Sequence, residues 1–168
     1  MPDLLWDDVR EWFSPQENGS LPDVCVDATT IADWQLVFDL VRTEGWAVRY
    51  SVGDVRAELP AKADGIMDRA DAESVELRVW PVADVLMIFR MYSAASVDFD
   101  VDLRELQGQE RLDVLCEFLT KLGRTLGKPV LMTPEGAPDY PLIGYEVEAD
   151  RVVMFAPAWA ETTATDTD

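Results

Sequence analysis

The chain has 168 residues, an apolar fraction of 48% and a net charge of −19, with 33 acidic residues against 14 basic ones. This length fits one domain with its own core, and the apolar fraction excludes a disordered chain. The negative charge argues against binding to nucleic acid or to an anionic membrane, because both repel it.

The sequence also lacks the signals of membrane insertion and secretion. No segment approaches the roughly 18 consecutive apolar residues of a membrane span. The N-terminus has no basic region followed by a long apolar run, so we expect no signal peptide. A cytoplasmic protein is therefore expected.

The first 44 residues predict two helices joined by an extended piece. Apolar residues that include Leu5 and Val9 recur at helical spacing and predict a short helix over residues 4–13. An extended piece is expected at residues 21–26, although Pro22 argues against an ordinary interior strand. A second helix is predicted over residues 31–44, with a capping-box pattern at its start and a glycine at its end.

The middle of the sequence predicts strands. Alternation on both sides of Gly53-Asp54 predicts a hairpin, and residues 61–74 are expected to form a loop. Two strands follow, at residues 75–80 and 85–92. The second is apolar at nearly every position, which predicts a central strand covered on both faces.

The most regular pattern lies between Val97 and Gly136. Apolar residues at 97, 99, 101 and 103 alternate with charged ones and predict a strand. A strongly amphipathic helix follows, ended by Gly127 and followed by a short strand from Val130. The stripe of this helix consists of Leu112, Leu115, Cys116, Phe118, Leu119, Leu122 and Leu126.

A final hairpin is predicted from residues 140–148 and 151–155. These elements together predict an α+β fold with a mostly antiparallel sheet and helices packed on one face. One domain is expected over residues 1–159, with a disordered acidic tail at 160–168.

Catalytic motifs are missing. The sequence contains no histidine, the commonest general base and the usual zinc ligand, and it shows no phosphate-binding or nucleophile motif. Its two cysteines, Cys25 and Cys116, lie in apolar patterns and are expected to be buried small hydrophobes. We therefore predict a non-catalytic protein with no cofactor, no metal site and no catalytic residues.

Carboxylates concentrate after residue 97. Asp98, Asp100 and Asp102 occupy one face of the predicted strand, and Glu105 follows. Such a row is a solvated strand face, a contact surface for a basic partner, or, for two of its members, a site for Mg²⁺ or Mn²⁺. The stiff loop from Thr133 to Pro141 is a second candidate contact surface. The predicted partner-binding residues are Asp98, Asp100, Asp102, Glu105, Glu135, Asp139 and Tyr140.

The segment SLPDV, from Ser20 to Val24, followed by DFDVDLRELQGQERLDVLCEFLTKLGRTLGKPVLMTPEG resembles small bacterial immunity proteins encoded beside secreted polymorphic toxins. The resemblance extends over residues 20–155 and implies a stoichiometric inhibitor that docks on a toxin domain. Many such toxins are basic nucleases, and an acidic inhibitor associates quickly with a basic surface.

Two alternatives remain open at this point. One is an accessory protein such as a secretion chaperone or a regulatory subunit. The other is a metal-dependent enzyme that uses Asp98, Asp100 or Asp102. The sequence predicts a protein partner and leaves the oligomeric state open.

Overall fold

An antiparallel sheet dominates the computed structural model, which describes residues 1–66 and 74–155. The described strands are β1 (Asp23–Asp27), β2 (Ala47–Val52), β3 (Val55–Ala57), β4 (Val75–Val82), β5 (Val85–Arg90), β6 (Ser96–Asp100), β7 (Val130–Thr133), β8 (Ile143–Glu146) and β9 (Arg151–Met154). Within the described residues these nine strands form one sheet in the order β3-β2-β4-β5-β6-β1-β7-β8-β9. Every described pair of neighbouring strands is antiparallel.

The helices are α1 (Trp6–Val9), α2 (Pro15–Asn18), α3 (Ile31–Glu44) and α4 (Gln109–Leu126), with short 3-10 helices at Arg10–Phe13 and Leu103–Glu105. Helix α4 packs on β4, β7, β8 and β9 and also contacts α3. The predicted α+β fold, with helices on one face of an antiparallel sheet, is confirmed. In the described parts of the chain, no helix has both the length and the apolar character needed to cross a bilayer.

The two long helices form as their patterns predict. The backbone N–H of Thr30 donates to the Asp33 carboxylate at 2.9 Å, which completes a capping-box contact at the start of α3. All seven residues of the predicted α4 stripe are buried. Gly127 ends α4 in the left-handed conformation with φ 65°.

The N-terminal helix predicted over residues 4–13 is wrong in its extent. The chain forms α1 and then a 3-10 turn, and Leu4 rather than Leu5 is buried. Side-chain amides bind the backbone at both ends of this segment: Gln109 Nε2 donates to the Leu4 carbonyl at 2.9 Å, and Gln107 Nε2 donates to the Phe13 carbonyl at 2.8 Å. These tertiary contacts outweigh the weak propensity of a short helix.

Strand β5 is central, but the prediction that it is covered on both faces is wrong. Its alternate residues Val85, Met87 and Phe89 are buried, whereas Leu86, Ile88 and Arg90 are only half-buried. The face of the sheet turned away from α3 and α4, called the outer face below, is therefore partly accessible. Residues 67–73 of the predicted loop, the end of the predicted domain and the predicted tail at 160–168 lie outside the described residues.

Candidate functional site

The outer face gathers carboxylates from two strands that are distant in sequence. Strand β1 lies between β6 and β7, so the strand start that Pro22 argued against is in fact interior. Val24 and Val26 are fully buried toward the helices. Because successive side chains of a strand point to opposite faces, Asp23, Cys25 and Asp27 lie on the outer face.

Strand β6 supplies the other half of this cluster. Cross-strand register places Asp100 opposite Asp23 and Asp98 opposite Cys25. These residues border a groove of about 560 Å³ that opens on the outer face. The groove, called the acidic groove below, is lined by Asp23, Cys25, Asp27, Arg90, Tyr92, Asp98, Phe99, Asp100, Leu131, Thr133 and Pro138.

Asp23 and Asp100 form a carboxyl pair in this groove. Partial burial, a hydrogen bond with Asp100 and the charges of Asp100, Asp98 and Glu135 raise the pKa of Asp23 from 3.8 to about 6. Two like-charged groups held opposite each other favour one shared proton. The groove therefore gains negative charge as the pH rises past about 6.

Arg90 of β5 partly neutralises the groove. Its Nε donates to Asp100 Oδ2 at 2.8 Å, and its Nη1 donates to Glu76 Oε1 at 2.7 Å. The guanidinium is thus shared between two carboxylates on different strands. Asp23, Asp27 and Asp98 add further negative charge around this one arginine.

Cys25 differs from its prediction, because it is half-exposed on the outer face rather than buried in the core. Its thiol donates to Asp27 Oδ1 at 3.3 Å. Burial, together with hydrogen bonds to Asp98 and Asp27, raises the pKa of this thiol. The thiol therefore stays protonated near neutral pH and is a poor nucleophile. Cys116 is buried in α4 as predicted.

The predicted row of three aspartates on one strand is wrong at its third member. Strand β6 ends at Asp100, and Asp102 caps the 3-10 helix that follows by accepting the Arg104 N–H at 2.9 Å. The same carboxylate pairs with the Arg104 guanidinium at 2.8 Å. These hydrogen bonds lower the pKa of Asp102 and keep it ionised in a local structural role.

Glu105 also has a structural partner. Its Oε1 accepts the backbone N–H of Leu86 at 3.0 Å, so the carboxylate stabilises the start of β5. Glu105 was predicted to bind a partner, but its carboxylate is already engaged by this backbone hydrogen bond. It therefore does not belong to the candidate site.

The loop from Thr133 to Pro141 forms one rim of the groove. Thr133 and Pro138 line the groove itself. Glu135 Oε2 accepts the Leu21 N–H at 3.3 Å beside the start of β1, and its charge contributes to the raised pKa of Asp23. Asp139 and Tyr140 are exposed further along the loop. The structure thus brings Asp98, Asp100 and Glu135 together and leaves Asp102 and Glu105 outside.

Three charged groove residues were missed from the sequence: Asp23, Asp27 and Arg90. The alternation of aspartates with Val24 and Val26 was a usable signal for the first two. Nothing local indicates that β1 pairs with β6, about 75 residues further along the chain. Arg90 is recognisable only once β5 and β6 are known to be neighbours.

A metal site at these carboxylates was one of the alternatives that the sequence left open. In the residues that the structure describes, no group of three or more His, Cys, Asp or Glu side chains has an arrangement that can hold a metal ion. Asp100 is held by Arg90, and Asp23 lies directly opposite Asp100.

No protein-family model matches this chain, and neither a curated protein nor a solved structure matches it.

Proposed function

We propose that this chain is a non-catalytic binding protein that inhibits a basic bacterial toxin domain by docking it on the outer face of the sheet. The observation that supports this most is the acidic groove, where Asp23 and Asp100 are held opposite each other on an accessible sheet face. Directly opposed like charges destabilise a sheet. Such a pair is stabilised when a partner brings positive charge to it.

The size of the outer face suits a protein partner. The strands span eight spacings of about 4.8 Å, and strands of about five residues are about 17 Å long. A face of about 38 by 17 Å approaches the area that one partner contributes to a standard interface, about 800 Å². The groove is an indentation in a much larger surface, and this geometry favours a macromolecule over a small molecule as the binding partner.

The charge of the whole chain acts in the same direction. A net charge of −19 attracts a basic protein over distances of about one Debye length, which is about 8 Å at physiological salt. Steering of this kind raises the association rate and lets an inhibitor compete with a polyanionic substrate. The inhibitor role combines this electrostatic argument with the resemblance to immunity proteins.

The proposal is tested with the basic toxin domain that we expect to be encoded beside this chain. Co-expression of the chain should protect cells from the toxin. A triple variant, Asp23→Asn with Asp98→Asn and Asp100→Asn, should lose protection while remaining folded. Asp102 is left unchanged because Arg104 already occupies it.

A matched control removes the same charge elsewhere. Asp8, Glu110 and Glu148 are exposed, and neutralising all three changes the net charge by the same amount as the triple variant. This control should still protect. Equal protection by both variants would remove the groove from the interface, and a neighbouring gene without a basic toxin domain would contradict the inhibitor role.

A further inference from the structure

The outer face is divided into ends of opposite charge. Cross-strand register aligns one row of side chains across the sheet: Arg49 of β2, Arg78 of β4, Ile88 of β5, Asp100 of β6, Asp23 of β1 and Thr133 of β7. Two arginines thus stand at one end of the row, and the carboxyl pair stands towards the other. A single apolar residue separates them.

A third arginine belongs to the basic end. Arg56 of β3 pairs with Ser51 of β2, on the same face as Arg49. Arg49, Arg56 and Arg78, called the arginine end below, surround a shallow depression together with Ser51, Gly53, Asp54 and Glu76. Three arginines at one place are notable in a chain with only 14 basic residues against 33 acidic ones.

The arginine end carries more positive than negative charge, because its three arginines surround the depression with two carboxylates, Asp54 and Glu76. Arg49 and Arg78 are directly opposed, which is an unfavourable like-charge pair. The guanidinium of Arg49 lies 5.9 Å from the centre of the Trp80 ring, and Arg78 Nε is 3.4 Å from Glu76 Oε2. Glu76 also binds Arg90. One carboxylate is therefore shared by two arginines.

The distance between the two ends follows from strand spacing. Arg78 and Asp100 are two strands apart, or about 10 Å, and Arg49 and Asp23 are four strands apart, or about 19 Å. A partner that covers the groove with positive charge therefore reaches the arginine end as well. An all-basic surface is repelled there, whereas a carboxylate-bearing segment is attracted.

A second copy of this chain is the less favourable occupant. A twofold rotation would place each acidic groove over an arginine end, but each copy has a net charge of −19. Bringing two such charges together opposes the local attraction. A basic partner with an acidic segment satisfies both ends of the face without this repulsion.

We propose that the arginine end binds a carboxylate-bearing segment of the same protein that places its basic surface in the acidic groove. This inference rests on the proposed function, because it assumes docking at the groove. The partner is a protein of mixed charge, with its acidic segment about 10–19 Å from its basic patch. The arginine end fixes the orientation of the partner and excludes proteins that are basic throughout.

Three peptides test this inference with the full chain. The first has about four lysines, a Gly-Ser spacer of about six residues and about four glutamates, and the spacer spans about 13 Å as a flexible coil. The second has the same composition with alternating charges, and the third is a lysine-only peptide. Affinities are measured by calorimetry at low salt and neutral pH.

We expect the block peptide to bind about fivefold more tightly than the alternating one, as two exposed charge pairs would give. The variant Arg49→Ser with Arg78→Ser should lose this preference and bind the lysine-only peptide at least as well as the unchanged chain. The control Arg10→Ser with Lys62→Ser, at exposed sites elsewhere, should keep the preference.

Equal affinity for the block and alternating peptides, or a preference that survives in the arginine variant, would overturn the inference. A dimer that is seen by sedimentation and abolished by the arginine variant would assign the face to a second copy instead. Failure of the proposed docking at the groove gives a different result, because the lysine-only peptide would then not bind at the groove at all.

Discussion

Asp23 and Asp100 lie directly opposite each other on strands β1 and β6, and partial burial together with this neighbouring carboxyl raises the pKa of Asp23. The two residues are distant in sequence, and their carboxyl groups meet at the centre of an accessible sheet face. Arg90 holds Asp100 from the other side at 2.8 Å. This arrangement keeps a repulsive pair in place and makes its charge depend on pH.

Because of the carboxyl pair, the contribution of Asp23 to the free energy of unfolding should fall as the pH rises from about 4 to about 6. The pKa of Asp23 is raised from 3.8 to about 6 in the folded state, so the folded protein binds more protons than the unfolded chain in this range. Its contribution to stability is therefore largest at low pH and is lost as the pH rises through about 6. Asp23→Asn should remove this dependence and be the more stable protein above pH 6.

The measurement is urea denaturation of the wild type and Asp23→Asn across this pH range. Other carboxylates titrate in both proteins, so the difference between the two curves isolates Asp23. A difference that does not change with pH would show that the pair is not coupled as described.

Substitution of Asp102 should lower the stability of the fold without weakening the binding of a basic peptide. Because its carboxylate caps the 3-10 helix and pairs with Arg104, Asp102→Ala should lower the free energy of unfolding by about 1 kcal/mol. Its affinity for a lysine-only peptide should stay within about twofold of wild type, since the site lies outside the groove. Asp98→Ala, in contrast, should lower the affinity for this peptide and leave the free energy of unfolding nearly unchanged. Loss of peptide affinity in Asp102→Ala would return this residue to the contact surface.

Substitution of Leu119 tests whether the apolar stripe of α4 packs in the core. Its side chain is fully buried. Leu119→Ala should therefore destabilise the fold by about 2–5 kcal/mol, through lost burial and a residual cavity. Leu36→Ala on α3 is the control, because Leu36 is 40% exposed. Similar unfolding free energies for the two variants would show that the α4 stripe does not face the core.

Gly123 marks the close approach of α4 to β8. A Cβ at this position would come within 2.1 Å of the Tyr145 ring. Alanine normally improves a helix interior by about 1 kcal/mol relative to glycine, but here the clash should reverse the sign and destabilise by about 1–3 kcal/mol. Thermal denaturation measures the change, and a stabilised Gly123→Ala would contradict this packing.

The elements with strong local signals were predictable from the sequence. Helix α4 follows from a stripe of seven apolar residues and a terminal glycine, and α3 follows from its capping box. The hairpin at Gly53-Asp54 follows from alternation and turn residues. The final hairpin was also predicted, but its first strand covers only Ile143–Glu146 instead of residues 140–148, and its loop spans residues 147–150. These features depend on neighbours within a few residues, so periodicity reports them directly.

The candidate site was only partly predictable, because it depends on pairing between distant segments. Asp98 and Asp100 were found from their alternation, but their partners Asp23 and Arg90 reach them through sheet register. Asp102 was misplaced because the chain leaves the strand at Asp100, where Arg104 captures the next carboxylate. The inhibitor role and the immunity-protein resemblance remain predictions.

The central claim, that the acidic groove is a docking surface for positive charge, is tested most directly by titrating the isotope-labelled chain with a lysine-only peptide. Amide shifts should concentrate on β1, β6 and Arg90. The variant with Asp23→Asn, Asp98→Asn and Asp100→Asn should lose about tenfold in affinity. The variant neutralised at Asp8, Glu110 and Glu148 should bind like the wild type. Equal losses in the two variants, or shifts spread evenly over the surface, would show that net charge alone attracts the peptide and would contradict the claim.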